Sequence, residues 1–258
     1  MKKVKSYINF TVLSLTLGLF IFFVINLCYA GPTQGQNAIA PEPSSLAIIS
    51  TGIAGWIVRF ARKRFTEFKR VFDVFVASVG LVILSPLIGF AAVLIKVVSP
   101  GPIFYKQERV GLNGKLFKIY KVRTMKLDAE KETGPIWARE NDPRLIKCGK
   151  LIRKSHVDEI PQLINVLKGE MSIVGPRPER PVFVNKLSKE IKDYRKRYSV
   201  KPGITGLAQV WHKYDETIKD VKKKIKYDLL YIRKMCLLTD LRILLRTIFV
   251  VAVGRGAR

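Results

Sequence analysis

The chain has little of what disulfide scaffolds and most transition-metal centres are built from. Its 258 residues include three cysteines, Cys28, Cys148 and Cys236. That odd number, with no CxxC spacing, speaks against a disulfide framework or a cysteine zinc site and suits a reducing compartment. Histidine is scarcer still. His156 and His212 are the whole supply, so a histidine-rich metal centre is disfavoured and a required metal would be held by carboxylates and phosphates. Acid is also short, with 20 Asp and Glu against 46 Lys and Arg. All the bases except Lys2, Lys3 and Lys5, and all the acids except Glu42, lie from residue 59 onward. That C-terminal excess attracts polyanions, whether nucleic acid, anionic lipid or phosphorylated small molecules. Internal repeats, coiled-coil heptads, a P-loop, a dinucleotide fingerprint and recognised nucleic-acid modules are all lacking.

Apolar runs are what the N-terminal third does have. Lys2, Lys3 and Lys5 precede a run from Ile8 to Leu27, and Cys28-Tyr29-Ala30 loosely fits a signal-peptide cleavage site. About 20 apolar residues also suffice to span a bilayer, so residues 1–30 read as a cleaved signal or a retained anchor. Residues 31–43 contain neither Lys nor Arg, and the apolar stretch Leu46 to Val58 then ends in Arg59, Arg62, Lys63 and Arg64. Positive charge on the outer ends only predicts a hairpin with both ends cytoplasmic.

A third apolar segment, Val71 to Ile95, has basic residues at both ends, Lys69-Arg70 and Lys96, and Ser85-Pro86 in its middle. A straight crossing would place the basic remainder outside, against the positive-inside rule. A helix broken at Pro86 and re-emerging on its side of entry resolves the conflict and keeps Asp73 near the headgroups. An ordinary kinked transmembrane helix is the alternative. From Ser99 the pattern is that of a compact mixed α/β domain. Ile103–Tyr105 and Leu116–Val122 read as strands, and residues 160–168 (closed by Gly169), 181–198 and 215–235 as helices. Residues 241–251, with Arg242 and Arg246 among Leu, Ile and Phe, suit an amphipathic helix lying on a membrane or on the domain.

The chemistry concentrates in Arg153-Lys154-Ser155-His156-Val157-Asp158-Glu159-Ile160-Pro161-Gln162-Leu163. Pro161 fits a first helical turn and so places Asp158 and Glu159 at a helix N-terminus. There the helix dipole and Arg153 favour ionised carboxylates. A capping box between Ser155 and Asp158 is the plainer alternative. Gly175-Pro176-Arg177-Pro178 fixes an arginine in a rigid turn, suited to bidentate phosphate recognition or simply solvated. Gln107 to Lys115 is Gly-rich and basic and reads as a hairpin.

Together these residues resemble the bacterial sugar transferase family, the monotopic polyprenyl-phosphate phosphoglycosyl transferases. The resemblance runs from about Lys69 to Val251. It passes through Lys69-Arg70 with Asp73, Ser85-Pro86, Pro100-Gly101-Pro102, Arg109 to Lys115, Lys121-Val122-Arg123-Thr124-Met125, Asp142-Pro143-Arg144, Asp158 to Gln162, Met171 to Pro178 and Lys201 to Gly206. Departures are Val122, where the family commonly has phenylalanine, and His156-Val157, where a small residue and leucine are usual. The resemblance implies a membrane-anchored re-entrant helix-break-helix at Ser85-Pro86, followed by a compact cytoplasmic catalytic domain with amphipathic interfacial helices. It implies transfer of a sugar-1-phosphate from a UDP-sugar to polyprenyl (undecaprenyl) phosphate with release of UMP, initiating exopolysaccharide or other glycoconjugate synthesis. By position Asp158 is the nucleophile and Glu159 its metal-binding or assisting partner, the two holding Mg²⁺. Arg153, Pro176, Arg177, Pro178, Arg123 and Arg109 are the substrate-binding set. Membrane lipids are expected partners, nucleic acid is not, and a homodimer is left open. The expected location is the bacterial inner membrane, with the catalytic domain on its cytoplasmic face.

Residues 31–65, through Pro41-Glu42-Pro43, the apolar stretch and the basic cluster, resemble a PEP-CTERM sorting signal and imply an exosortase acting on the N-terminal region. The expected division is 1–30 signal-like or anchor, 31–65 PEP-CTERM-like, 66–98 re-entrant helix and 99–258 catalytic domain. The competing readings are a basic membrane-associated scaffold or exosortase substrate without catalysis, and a nucleic-acid-binding protein.

Overall fold

The computed structural model describes the backbone of residues 45–131, 134–136, 142–212 and 217–252, with side chains from residue 63 onward. The signal-like segment and Pro41-Glu42-Pro43 lie outside the described residues. The chain divides into a unit of residues 1–67 with 233–236 and a unit of residues 68–232 with 237–258. The second holds every element discussed below except the start of the first helix and Arg233.

Helix α1, Ser45–Val98, is uninterrupted, with Pro86 inside it. This corrects the expected break at Ser85-Pro86, and the local chemistry supplies the reason. Pro86 has no N–H to give the carbonyl one turn earlier, that of Val82. The Ser85 hydroxyl donates to that same carbonyl at 2.9 Å, satisfying the group that the proline would have orphaned. Lys63–Val98 is long and apolar enough to cross a membrane. Val71, Phe75, Val82, Ile83, Phe90, Val93 and Val97 are exposed on it, while Asp73, Ala77, Ala91 and Ile95 are buried. The four-residue spacing within each buried pair marks the stripe that meets the rest of the unit.

Strands β1, Phe104–Val110, and β2, Leu116–Val122, form an antiparallel hairpin. It turns through Asn113 and Gly114, both at positive φ. β1 is longer than the short strand expected, because Lys106 to Arg109 continue the ladder along an edge where alternate polar side chains can face water. α2, Gly149–Lys154, and α3, Gln162–Lys168, follow. α3 closes on Gly169 at φ 82, as a left-handed C-terminal position favours. There Arg70 donates to the carbonyls of Val166 and Leu167 at 2.5 and 2.8 Å.

β3, Ser172–Val174, pairs in parallel with β4, Gly203–Thr205. This ladder joins two of the motifs, and it does so at backbone contact. A Cβ on Gly175 would lie 2.5 Å from the Lys201 carbonyl oxygen, and one on Gly203 would lie 2.1 Å from the Gly175 nitrogen, so both positions need glycine. α4, Pro181–Glu190, ends well before the expected residue 198. Ile191 is extended and Asp193 left-handed at φ 64, and a 3-10 turn then spans Tyr194–Ser199. The reset leaves Ile191, Tyr194, Arg197 and Tyr198 all buried. The remaining helices are α5, Leu207–Trp211, α6, Ile218–Arg233, and α7, Leu237–Ala252.

Apolar clusters among the described residues hold these pieces together. Val110, Val184, Leu187, Ile191, Tyr194, Tyr198, Val221 and Ile225 join the β1 end, α4, the 3-10 turn and α6. Ala91, Ile95, Val122, Ile146 and Ile152 join the end of α1 to β2 and α2. At the other end of the apolar segment, Lys69 pairs with Asp240 at 2.5 Å and Asp73 accepts the Ile173 amide at 3.1 Å. The described domain is thus mixed helix and sheet beside one long apolar helix.

Candidate active site

Asp158 and Glu159 sit on a 3-10 turn, Val157–Glu159, that leads into α3. The turn is set by His156 in the left-handed region at φ 56. The capping-box alternative does not hold. The Ser155 hydroxyl donates backward to the carbonyls of Leu151 and Ile152, each at 3.0 Å, and no side chain caps the turn.

The two neighbouring acids are held differently. Glu159 accepts Lys121 Nζ at 2.8 Å on Oε1. Arg177 forks onto it as well, Nη1 donating to Oε2 at 3.2 Å and Nη2 to Oε1. Burial alone would raise the pKa of Glu159. The Arg177 and Lys121 charges outweigh it and hold the carboxyl well below the usual range. Asp158 is 7% exposed and accepts no hydrogen bond among the described residues. Burial pushes its pKa up to about 6. Lys121 is the largest opposing influence, and the adjacent Glu159 charge adds to the rise.

Each surrounding cation has a visible support. Arg153, on α2, donates from Nε to Thr124 Oγ1 at 2.9 Å. Burial lowers its pKa, and the Asp158 charge is the chief counterweight. Gly149 lets α2 approach this closely, since a Cβ there would lie 2.4 Å from the Thr124 carbonyl oxygen. Arg177 leaves β3 in the Gly-Pro-Arg-Pro turn, where the Pro176 carbonyl accepts the Gly203 amide at 2.9 Å. Pro176 and Pro178 are both buried. Behind the turn, Arg197 donates to the Arg177 carbonyl at 2.8 Å and pairs with Asp228 at 2.8 Å. Its guanidinium stands 5.4 and 5.7 Å from the Tyr194 and Tyr198 ring centres. Glu179 binds Lys224 at 2.7 Å. Burial would raise Glu179, but Lys224, Arg197 and Arg109 bring it down to about 2.

Of the six residues expected to bind substrate, the structure brings Arg153 and Arg177 to the carboxylates, with Pro176 and Pro178 shaping the turn. Arg109 instead braces that turn, donating to the Pro178 carbonyl at 3.2 Å and to Gln107 at 2.6 Å. Arg123 lies elsewhere. It is buried and donates to the carbonyls of Pro100 and Ser99 at 2.8 and 2.9 Å, just past the end of α1. Its guanidinium therefore serves backbone groups that have left a helix. Ser85 and Pro86 belong to α1 and not to this site.

Sequence reasoning missed Lys121 and Asn165. Lys121 lies inside a motif, and the two-residue period that buries Ile119 on β2 was the signal that it shares a side with the core. Asn165 is fully buried. It accepts the Tyr120 amide at 3.0 Å and donates to the Lys118 carbonyl at 2.8 Å, standing in for a missing strand at the free edge of β2. It thereby fixes α3 against the strand that carries Lys121. No cluster of three or more His, Cys, Asp or Glu able to hold a metal occurs among the described residues.

A carboxylate pair beside Lys121, Arg153 and Arg177 is an arrangement able to receive phosphates. Residues 63–254 match the family described as bacterial sugar transferase, and the chain belongs to that family. It is 44% identical over 190 residues to a UDP-N-acetylgalactosamine-undecaprenyl-phosphate N-acetylgalactosaminephosphotransferase of Aeromonas hydrophila, covering 74% of this chain and 45% of the relative. It is 41% identical over 192 residues to a UDP-glucose:undecaprenyl-phosphate glucose-1-phosphate transferase of Klebsiella pneumoniae, covering 74% and 41%. It is 40% identical over 188 residues to an exopolysaccharide production protein of Rhizobium leguminosarum, covering 70% and 92%. The chain thus spans less than half the length of the first two.

Proposed function

We propose that the chain transfers a sugar-1-phosphate from a UDP-sugar to polyprenyl phosphate, undecaprenyl phosphate in the names of its relatives. UMP is released, and the reaction initiates exopolysaccharide or other glycoconjugate synthesis. The observation that carries this reading is the pairing of a buried, unbonded Asp158 with a Glu159 fixed by Lys121 and Arg177. A carboxylate without hydrogen bonds is a better nucleophile than one whose lone pairs are occupied.

An Asp158 oxygen forms a bond to the β-phosphorus while the bond from that phosphorus to the bridging oxygen breaks, its electron pair leaving on UMP. A phosphate oxygen of the polyprenyl phosphate then attacks the same phosphorus. The bond to Asp158 breaks, restoring the carboxylate and giving the polyprenyl diphosphate sugar. Arg177 and Arg153 offset charge on the phosphoryl oxygens, and Glu159 orients Arg177 and Lys121 rather than reacting. The donor set suits Mg²⁺, a hard ion that keeps several waters and takes one or two carboxylates plus substrate phosphates. Asp158 supplies free oxygens, and Glu159 an edge shared with the two cations. When bound, Mg²⁺ would neutralise charge on the diphosphate.

The domain is placed at the cytoplasmic face of the inner membrane, with residues 66–98 entering and leaving on one side through a bend of the continuous helix at Pro86. Supporting this, both ends of the apolar segment pack on the same unit, Asp73 at Ile173 and Ile95 in the cluster with Val122 and Ile152. α7, with its exposed leucines, is read as an interfacial helix. Residues 31–65 are read as an exosortase-recognised segment because of their tripartite order, and a homodimer stays compatible with this scheme.

Purified full-length chain, Mg²⁺, polyprenyl phosphate and a panel of UDP-sugars should release UMP with at least one donor. Omitting the lipid should trap a labelled sugar phosphate on the peptide containing Asp158. Rates requiring a ternary complex, with no trapped adduct, would sink the covalent route. Engineered cysteines near residues 67 and 106 should react only from the cytoplasm, and periplasmic labelling of the second would overturn the topology.

A further inference from the structure

Arg246 differs from the arginines around the site in having no anion. It makes no ion pair or hydrogen bond among the described residues, yet its guanidinium lies 6.0 Å from the Trp211 ring centre and 5.4 Å from that of Phe249. Two aromatic faces hold its orientation, while its fork of donors stays open.

The setting restricts what could fill that fork. The inward face of α7 is defined by buried Asp240 and Ile243 and by Thr247, whose hydroxyl meets Thr205 Oγ1 at 2.7 Å. Arg246 belongs to the other face, beside Leu245, Ile248 and Phe249, which are 60%, 67% and 51% exposed, and near Trp211 at 46%. A contiguous apolar surface of this kind is usually covered in use. A free anion in water would match the arginine and leave the apolar side chains wet. A purely apolar partner would desolvate the guanidinium without pairing it. A second copy docking by two-fold symmetry would bring the same patch up twice, adding a second Arg246 and no acid from Trp211, Leu245, Ile248 or Phe249, on chains of net charge +26. An anionic phosphate at the edge of a hydrocarbon layer satisfies both parts at once.

We propose that Trp211, Arg246 and Phe249 form a headgroup site for an anionic membrane phospholipid. Arg246 forks the phosphate, and the two rings with Leu245 and Ile248 enter the acyl boundary. The proposal rests on reading α7 as an interfacial helix of a membrane transferase. It adds a lipid-binding site distinct from the carboxylate centre, with its own selectivity for headgroup charge.

The test uses the full chain with its other two tryptophans, Trp56 and Trp137, replaced by Phe, in nanodiscs carrying brominated acyl chains. Trp211 emission should be quenched, and at least about two-fold more in discs containing phosphatidylglycerol than in phosphatidylcholine alone, because the headgroup charge draws the arginine in. Arg246→Gln should reduce the first value to the second. Trp211 that stays accessible to iodide in both discs overturns the proposal, as does quenching indifferent to headgroup charge and to Arg246→Gln. Protection of Trp211 that rises with protein concentration without lipid would assign the face to a second copy instead. Enhancement by polyprenyl phosphate but not by phosphatidylglycerol would make it a substrate contact, also against the proposal. UMP release in detergent separates this from the catalytic reading. Arg246→Gln should match the parent there, and a parent that releases no UMP with any donor would sink the transferase while leaving the quenching result standing.

Discussion

The two sides of the carboxylate turn are built on opposite principles. On the Glu159 side, every nearby element is clamped to another. Lys121 and Arg177 close on the carboxylate, Arg197 and Asp228 hold the Arg177 backbone from behind, and Arg109 braces Pro178. On the Asp158 side, one residue away, a buried carboxyl is left without a hydrogen bond and with a pKa pushed up to about 6. The contrast divides the labour. One side is an electrostatic frame whose charges are already compensated, and the other is a carboxyl short of partners, which the proposed mechanism uses as the reacting group. Burying a carboxyl disfavours its charged form, and that cost is what lifts Asp158.

The sharpest way to break the comparison is Asp158→Asn, which keeps shape and removes the proposed nucleophile. UMP release and adduct formation should fall by at least about 10⁴-fold. Stability should move the other way. A folded-state pKa of about 6 against an ordinary 3.8 means the folded protein binds the proton more tightly than the unfolded chain. Asp158 therefore favours folding where it is protonated, and that contribution is lost as pH rises from about 4 through about 6. The neutral Asn variant avoids the loss and should be on the order of 3 kcal/mol more stable at pH 7, read as a higher Tm. A lower Tm would show that the unbonded carboxylate is not the strained half of the pair.

Glu159→Gln and Arg177→Lys attack the frame. Each should cost about 10²-fold in kcat/KM, in the range for losing a preorganised charge contact. Both should still form a slowly accumulating adduct on Asp158. Complete loss of the adduct in Glu159→Gln would mean that the two acids exchange roles.

A smaller and more specific effect concerns pH. Activity that needs ionised Asp158 should fall as pH drops through about 6, with the limb moving lower as Mg²⁺ rises, because a bound cation favours the carboxylate. Lys121 is the largest attractive influence on Asp158, so Lys121→Met should move the limb to higher pH. Glu159, held well below the usual range, contributes no limb there. A limb that ignores Lys121→Met would remove Asp158 as its source.

Much of this division was legible in residue order. The carboxylate pair before Pro161, the rigid arginine turn and the helix closing at Gly169 follow from local rules about caps, prolines and glycines, which depend only on near neighbours. What could not be read depends on distant pairing. Arg123 and Arg177 look alike in a chain of basic motifs, and only the packing of α1 gives one to the Ser99 and Pro100 carbonyls while β3 and β4 aim the other at Glu159. The reset at Ile191 to Asp193 was hidden because residues 181–198 keep a helix-compatible pattern, and tertiary burial of Tyr194, Arg197 and Tyr198 overrides it. Pro86 was legible as a helix breaker. The Ser85 hydroxyl beside it, which meets the carbonyl that Pro86 leaves unpaired, was the part of the same dipeptide that argued for continuity.

Asn165 offers the mildest test, because it touches neither carboxylate and bears only on how the frame is registered. Its carboxamide bonds Lys118 and Tyr120 on β2 and Glu170 Oε2 at 2.7 Å, so α3 and β2 are locked immediately beside the Lys121–Glu159 contact. Asn165→Ala leaves a part-buried strand amide and carbonyl without their side-chain partner and should cost about 1 kcal/mol of stability. If the lock matters only for folding, kcat at low temperature should equal the parent value once unfolded protein is discounted. If it sets the frame, kcat should fall by roughly ten-fold, as expected when a charge contact is loosened without being removed, while KM for the UDP-sugar changes little. The pH limb should also shift upward, as in Lys121→Met but by less, because Lys121 would lie farther on average from Asp158. A folded Asn165→Ala variant with parental kcat and an unmoved limb would confine the residue to structure and detach the β2 edge from the working half of the site.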